Sequence, residues 1–490
     1  MAAGGAAARY ARAQSPSEPV PAGFTRLRVL AGQIDVDGKR GVAYRILQDN
    51  GEQGFVGVKG GRFQVALENE TREPTSIHWH GLILPNGQDG VPYVTQPPIK
   101  PGERRLYDFP IVQAGTFWMH SHFGLQEQQL LTAPLILRDP QAVPEDYEAV
   151  VILNDFTTRD PLDILAELKA KTSGMASMPM GKTGGMAGMA SGKTPRMPGM
   201  ATSAPDLNDV KYDALLANRR TLADPEVVRV RPGERVRLRI IAGSSATNFF
   251  IRTGALPAEA VAVDGEDIVP LAGSAFELGI AQRLDLRIRI PAGQGAYPII
   301  AQGEGSDLQT GVILATPQAS IPRVAPMAKA PAGALTNAQE SRLRAVQSLP
   351  GRPVDRRLQV TLDGKMAGYV WMLNDQTWPR ITPLEVKKGE RVEIAFVNRT
   401  GMTHPMHLHG HVFQVTEIDG RRLPGAKRDT ILVMPRQTVK VQFDASYPGY
   451  WMLHCHVLYH LAAGMVTVLK YQGFENTAYD PLASASEYRR

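Results

Sequence analysis

The chain has 490 residues, room for about three compact domains. Its 54 Lys and Arg against 48 Asp and Glu leave a net charge of +6 without any dense basic run, which argues against a nucleic-acid surface, and no apolar stretch of roughly 18 residues is present to span a bilayer. One cysteine, Cys455, excludes an intramolecular disulfide framework, while 47 Gly and 37 Pro favour many turns between short strands.

The opening residues, up to Phe24, lack the apolar core of a secretory signal, which leaves two readings open: a signal already removed, or a cytoplasmic protein. Residues 58–69 (VKGGRFQVALEN) then combine a Gly turn with alternating apolar positions, the pattern of a strand with one face on a core. The same pattern returns at 230–241 (VRPGERVRLRII) and 386–397 (VKKGERVEIAFV). A second element also occurs three times, as AGTFWMHSH at 114–122, QGAYPIIAQ at 294–302 and PGYWMLHCH at 448–456. Aligned on Gly115, Gly295 and Gly449, the outer copies carry His at the fifth and seventh following positions, where the middle copy has Ile300 and Gln302. Three copies of one β-sandwich, in an all-β chain, is the economical reading. We expect domains at 24–140, 147–316 and 355–475, with a Pro/Ala-rich connector at 317–354. One helix is predicted in the middle third, capped by Asp160, with Pro161 in its first turn and Leu162, Leu165 and Leu168 on one side.

All 11 histidines fall in four short windows: His78 and His80; His120 and His122; His404, His407, His409 and His411; His454, His456 and His460. An isolated His is usually a satisfied core or surface residue, but such confinement is what metal coordination demands. Residues two apart in a strand share a face, so 78/80, 120/122, 407/409 and 454/456 form four pairs. Eight imidazoles suit a cluster of several ions. Cys455, between His454 and His456, must face the other way and serve a separate site. With His404 and His460 it gives a His2Cys set, to which Met465 can add a long axial thioether. That is the ligand set of a blue-copper electron-transfer centre.

The sequences HWHG, HSH, HPMHLHGH and HCHVLYHLAAGM resemble, in order and separation, the four copper signatures of multicopper oxidases, and the three-sandwich layout is similar to that family's. The resemblance implies three consecutive cupredoxin-like Greek-key domains. It implies an enzyme with four copper ions that takes single electrons from a substrate and reduces dioxygen to water. Type 1 copper would be held by His404, Cys455, His460 and Met465, with Met465 moderating its potential. Type 2 copper would take His78 and His407. The type 3 pair would take His80, His120, His122, His409, His454 and His456, between the first and third domains. His411 is left as a structural residue. Asp89, in NGQDGV, resembles the family's acid near type 2 copper, although Asp89-Gly90 is also an ordinary turn pair. Leu461 and Leu458 stand where relatives carry a further acid. Glu127 is a candidate substitute there, with a plain surface carboxylate as the alternative.

Residues 171–200 hold Met175, Met178, Met180, Met186, Met189, Met197 and Met200 and no Leu, Ile, Val or aromatic residue. Such a run cannot build a core, and thioethers without carboxylates suit a soft ion such as Cu(I). Four Lys and Arg in the stretch weigh against strong cation binding, so an inert linker is the alternative to copper recruitment. NDFTTRDPLDILAELKAK and HFGLQEQ look like the bacterial copper-resistance branch of the family. The resemblance therefore implies phenols, aromatic amines and Cu(I) as electron donors, a monomer without a membrane span, and a periplasmic or secreted location. A dedicated cuprous oxidase and a copper-free scaffold of the same fold are the alternatives.

Overall fold

The computed structural model describes residues 12–14, 18–174 and 207–487. The seven methionines of the Met-rich run lie outside the described residues.

The strands assemble into three successive pairs of sheets. The first pair joins a five-stranded sheet, which includes Thr25–Val36, Arg62–Asn69 and Arg104–Pro110, to a four-stranded sheet of Phe55–Val58, Thr132–Arg138, Gly115–Ser121 and Ile77–His80. The middle pair has six and five strands, and the last has a seven-stranded sheet against a five-stranded one. The pairings repeat. Thr25–Val36 runs parallel to Arg62–Asn69, as Tyr147–Phe156 does to Arg235–Ala242 and Arg356–Lys365 to Arg391–Asn398. In the opposite sheets a second parallel contact recurs, between Phe55–Val58 and Thr132–Arg138, Glu226–Arg229 and Gln309–Ala315, and Leu384–Val386 and Val466–Tyr471. The same unit is therefore built three times, as the internal repeats predict.

Each repeat buries its alternate apolar residues between the two sheets, which is what gives a strand of period two a stable face. In the first unit Phe63 stacks on Phe109 at 4.6 Å and meets Trp79 edge-on at 4.8 Å. Leu238, Ile240 and Leu286 occupy the same place in the middle unit, and Phe396, Phe443 and Trp451 in the last. The helix Pro161–Gly174 forms as predicted, with Asp160 Oδ1 accepting from the Leu162 amide at 2.8 Å. Its buried side differs from the expected one. Ile164 and Leu165 are buried and Leu168 partly so, whereas Leu162 points outward, because in the first turn Pro161 takes the inward position. Among the described residues, no helix is long and apolar enough to cross a membrane.

Leu238 is fully buried at the centre of the middle unit. Leu238→Ala should lower stability by about 2–5 kcal/mol, read as a shift in the chemical denaturation midpoint, because the rigid sheets cannot collapse around the lost volume.

Candidate metal centres

Two strand pairs create the first site. Ile77–His80 lies antiparallel to Gly115–Ser121 with His78 opposite His120, and His404–Leu408 lies antiparallel to Tyr450–Cys455 with His407 opposite His454. Each ladder sets its H-x-H pairs side by side on one face, and the two faces meet between the first and last units. Across that junction the ring centres of His78 and His409 are 3.9 Å apart and those of His80 and His407 3.8 Å. His122 and His454 lie at 5.4 Å, and His120 and His456 at 5.0 Å. All eight rings are buried.

Hydrogen bonds select one nitrogen in six of the eight rings. The Nδ1–H groups of His78, His120, His407 and His454 donate to the backbone carbonyls of Asp89, Ser121, Asp429 and Cys455 at 2.9–3.0 Å. His409 Nδ1 donates to Asp89 Oδ2 at 2.9 Å. His80 is held the other way round, Nε2 donating to Asp429 Oδ1 at 3.0 Å. The opposite nitrogens, His78 Nε2, His80 Nδ1, His120 Nε2 and His407 Nε2, have no hydrogen-bond partner, and neither do His122 Nε2 and His456 Nε2. His409 Nε2 and His454 Nε2 face each other at 3.0 Å. Buried polar atoms are normally paired. A set of lone pairs converging on one interior point is a metal site in its chemistry. The triads His78/His407/His409, His78/His80/His120 and His122/His409/His454 each bring their donor atoms within 4.8 Å of one another.

Cys455 points to the other side of its strand, as the alternation requires. Its Sγ lies 3.6 Å from His404 Nδ1 and 3.5 Å from His460 Nδ1, and these three form a second candidate ligand set. Met465 is fully buried beside them, its carbonyl accepting from the Cys455 amide at 3.1 Å. His404 Nε2 pairs with Thr400 Oγ1 at 2.8 Å and His460 Nε2 donates to Asp209 Oδ2 at 2.8 Å, so both rings turn Nδ1 to the sulfur. Burial raises the Cys455 thiol above its ordinary range, so a thiolate here needs a cation beside it. The donors fit copper: imidazoles with a soft sulfur at one site, imidazoles alone at the other.

His411 stands apart, with Nδ1 donating to His409 O at 2.9 Å and Nε2 bonded to Tyr471 OH at 2.6 Å, the structural role expected for it. Asp89 is fully buried between His78 and His409, and Gly90 follows it at φ +81°, so the turn and the contact with the rings coexist. Glu127 is also buried, with Oε2 2.7 Å from His120 Nδ1; the surface alternative does not hold. Leu458 and Leu461 are buried and apolar. Sequence reasoning missed Asp429, Arg283 and Asp209. The middle unit has no imidazole at the matching strand: Gln302 instead donates to the carbonyls of Ser306 and Ala330 at 2.9 and 2.8 Å and accepts from Arg252 at 2.6 Å.

A cavity of about 280 Å³ opens beside the Cys455 set. It is lined by Leu207, Asp209, Glu304, Met402 and Val457 among others, and Asp209 links it directly to His460.

Paired sandwiches carrying a sulfur-containing copper-type set and an adjoining imidazole cluster define a class of redox enzyme that reduces dioxygen. Residues 56–142, 148–320 and 351–473 each match a multicopper oxidase family, and the chain belongs to the multicopper oxidases. It is 33% identical over 433 residues to the multicopper oxidase MmcO of Mycobacterium tuberculosis, spanning 84% of this chain and 80% of that protein. It is 27% identical to copper resistance protein A of Escherichia coli, covering 83% and 86% of the two chains. The fold is similar to that of the laccase from Botrytis aclada, with a TM-score of 0.72 at 22% identity over 95% and 90% of the chains.

Burial holds the rings below the ordinary histidine range, His122 at about 3 and His411 at about 4, with His80, His120, His404, His454 and His456 also lowered. In the copper-free protein the folded rings thus stay neutral where the unfolded chain takes up protons. Stability is then complete above the unfolded value of about 6.5 and is lost as pH falls towards the folded values. The urea midpoint of copper-free protein should drop between about pH 7 and pH 4; a flat midpoint across that range would contradict the burial of these rings in neutral form.

Proposed function

We propose that this chain is a laccase-like oxidase that couples one-electron oxidation of phenols, aromatic amines and Cu(I) to four-electron reduction of dioxygen to water. In this reading the domains span 24–140, 147–316 and 355–475. His404, Cys455, His460 and Met465 hold type 1 copper. His78 and His407 hold type 2, and His80, His120, His122, His409, His454 and His456 hold the type 3 pair. The observation that carries the reading is the alternation at Cys455, whose sulfur faces one ligand set while His454 and His456 face the other. Four bound copper ions would supply one-electron chemistry in the number that dioxygen requires.

The residues around the sites have separable tasks. Cys455 joins the two centres by the shortest covalent path, one residue in either direction along its own strand. Trp371, 3.9 Å from the His460 ring, helps keep water from the type 1 set. Asp209 accepts from His460 and lines the outer cavity, where its carboxylate would orient the hydroxyl of a phenol or the positive charge of a metal donor. Asp89 and Glu127 lie beside His409 and His120, placed to pass the protons that water formation consumes, with Glu127 in place of the acids absent at Leu458 and Leu461.

A narrower reading, a cuprous oxidase serving copper tolerance, is favoured by the seven methionines of 171–200 and by the likeness to a copper resistance protein. Leu207, the first described residue after the run, lines the cavity with Asp209. A copper-free scaffold would leave the converging ring nitrogens without purpose. A periplasmic or secreted location and a monomeric state complete the proposal.

Oxygen consumption with Cu(I) and with a phenol, on the intact protein and on one lacking 171–200, tests the substrate reading. Deletion should lower Cu(I) oxidation more than phenol oxidation; equal loss of both, or of neither, would remove the recruiting role. Asp209→Asn should lower kcat/KM for a phenol roughly 10-fold, as expected when a hydrogen bond to a charged group is weakened, while the sulfur-to-copper colour persists. Purified protein should carry about four copper ions per chain if it is the oxidase and none if it is a scaffold.

A further inference from the structure

The middle unit supplies no imidazole, yet one of its side chains reaches the cluster. Arg283 begins the strand Arg283–Arg289 and is completely buried. An interior guanidinium is tolerated only when its donors find acceptors. Here Nε donates to Thr116 O at 3.1 Å, and Nη1 to Ala281 O at 3.0 Å and Asp429 Oδ1 at 2.8 Å. Nη2 closes a bidentate fork on Asp429 Oδ2. Thr116 belongs to the first unit, Arg283 to the second and Asp429 to the third, so one planar group ties all three together. The Phe117 ring lies 5.8 Å from it.

Asp429 turns this fork towards the histidines. Its Oδ1 accepts from His80 Nε2 at 3.0 Å and from Thr430 Oγ1 at 2.9 Å, and its carbonyl accepts from His407 Nδ1 at 2.9 Å. His80 is the ring anchored through Nε2, and its unpartnered atom is Nδ1, the reverse of His78, His120 and His407. The backbone makes room for the arrangement. Gly81, directly after His80, has φ +86°, and a Cβ there would sit 2.5 Å from Asp429 Oδ2 and 2.6 Å from Arg283 Nη2. This packing accounts for the glycine that closes the HWHG motif.

We propose that Arg283 is a positioning residue of the imidazole cluster: from the middle domain it fixes Asp429, whose carboxylate holds His80 with Nδ1, and whose backbone carbonyl holds His407 with Nε2, turned inward to copper. The inference rests on the ligand set given under Proposed function. It assigns a task to the domain that carries no ligand, and explains why that domain is clamped behind the cluster.

The test compares Arg283→Gln and Arg283→Lys with Arg239→Gln. Arg239 also crosses from the middle unit to Thr116, at 3.0 Å, and pairs with Asp285 at 2.8 Å, but it touches no imidazole. Arg283→Gln should keep the sulfur-to-copper colour while copper content falls from about four to about two per chain, with Arg283→Lys between the two, since an ammonium holds a carboxylate without the fork. Nitrogen NMR of the copper-free protein should show His80 as a single Nε2–H form that becomes mixed in Arg283→Gln. Arg239→Gln should lower the melting temperature yet keep full copper and the His80 signal. If the Gln variant does not fold, Arg283→Lys decides: reduced copper with the colour retained supports the clamp. Full copper and an unchanged His80 in the Arg283 variants would overturn it, as would equal copper loss in Arg239→Gln, which would trace the effect to domain cohesion. Wild-type protein that binds no copper would instead overturn the ligand set itself, and the clamp with it.

Discussion

In an extended strand each peptide turns its side chain opposite to the last, and at Cys455 that constraint organises the whole molecule. His454 and His456 are committed to one side and Cys455 to the other, with no freedom to exchange. The sulfur must therefore find its partners, His404 and His460, within the last sandwich, while the two imidazoles must look outward to another unit. His404 and His407, three apart on the neighbouring strand, divide in the same way. The two centres are thus separated and yet joined, by geometry that a single-residue slip in register would destroy.

The outward-looking face explains why the first and last units must meet. Each provides two pairs of rings, and neither has enough for a cluster alone. Eight imidazoles packed in an interior are costly to desolvate, and the contacts behind them offset that cost by fixing six of the rings through one nitrogen. The carboxylates and carbonyls of Asp89, Asp429 and Glu127 do much of this. They come from loops and strand ends beside the H-x-H ladders, so the same local backbone that bears the ligands also bears their supports.

What could be read from the sequence was what depends on local spacing. The H-x-H pairs, the repeated Gly turns and the helix after Asp160 are all set by periods of two or 3.6, and the structure reproduces them. Leu162 went astray because three leucines at matching intervals outweighed Ile164 in the pattern, although Pro161 already occupied the inward side of the first turn. Asp429, Arg283 and Asp209 were not legible for a different reason. Arg283 meets Asp429 across 146 residues, His460 meets Asp209 across 251, and His80 meets Asp429 across 349. Nothing in the nearby sequence marks them, since an Arg-Asp-Thr run at 428–430 or an Asp at 209 reads as surface until the sheets are placed against one another. Glu127 was visible as a residue but its surroundings were not, because burial is decided by the third unit closing over the first.

Gln302 shows what became of the position that bears histidine in the outer repeats. Its amide stitches the loop at Ser306 and the connector at Ala330 to the strand that Arg252 flanks, so every polar atom it owns is engaged in holding chain to chain. Grafting His at 300 and 302 to create a further metal position would first unfasten that seam. The middle repeat is thereby specialised as a brace, and the number of metals the molecule carries is capped by an architectural duty, independent of how many copies of the fold it contains.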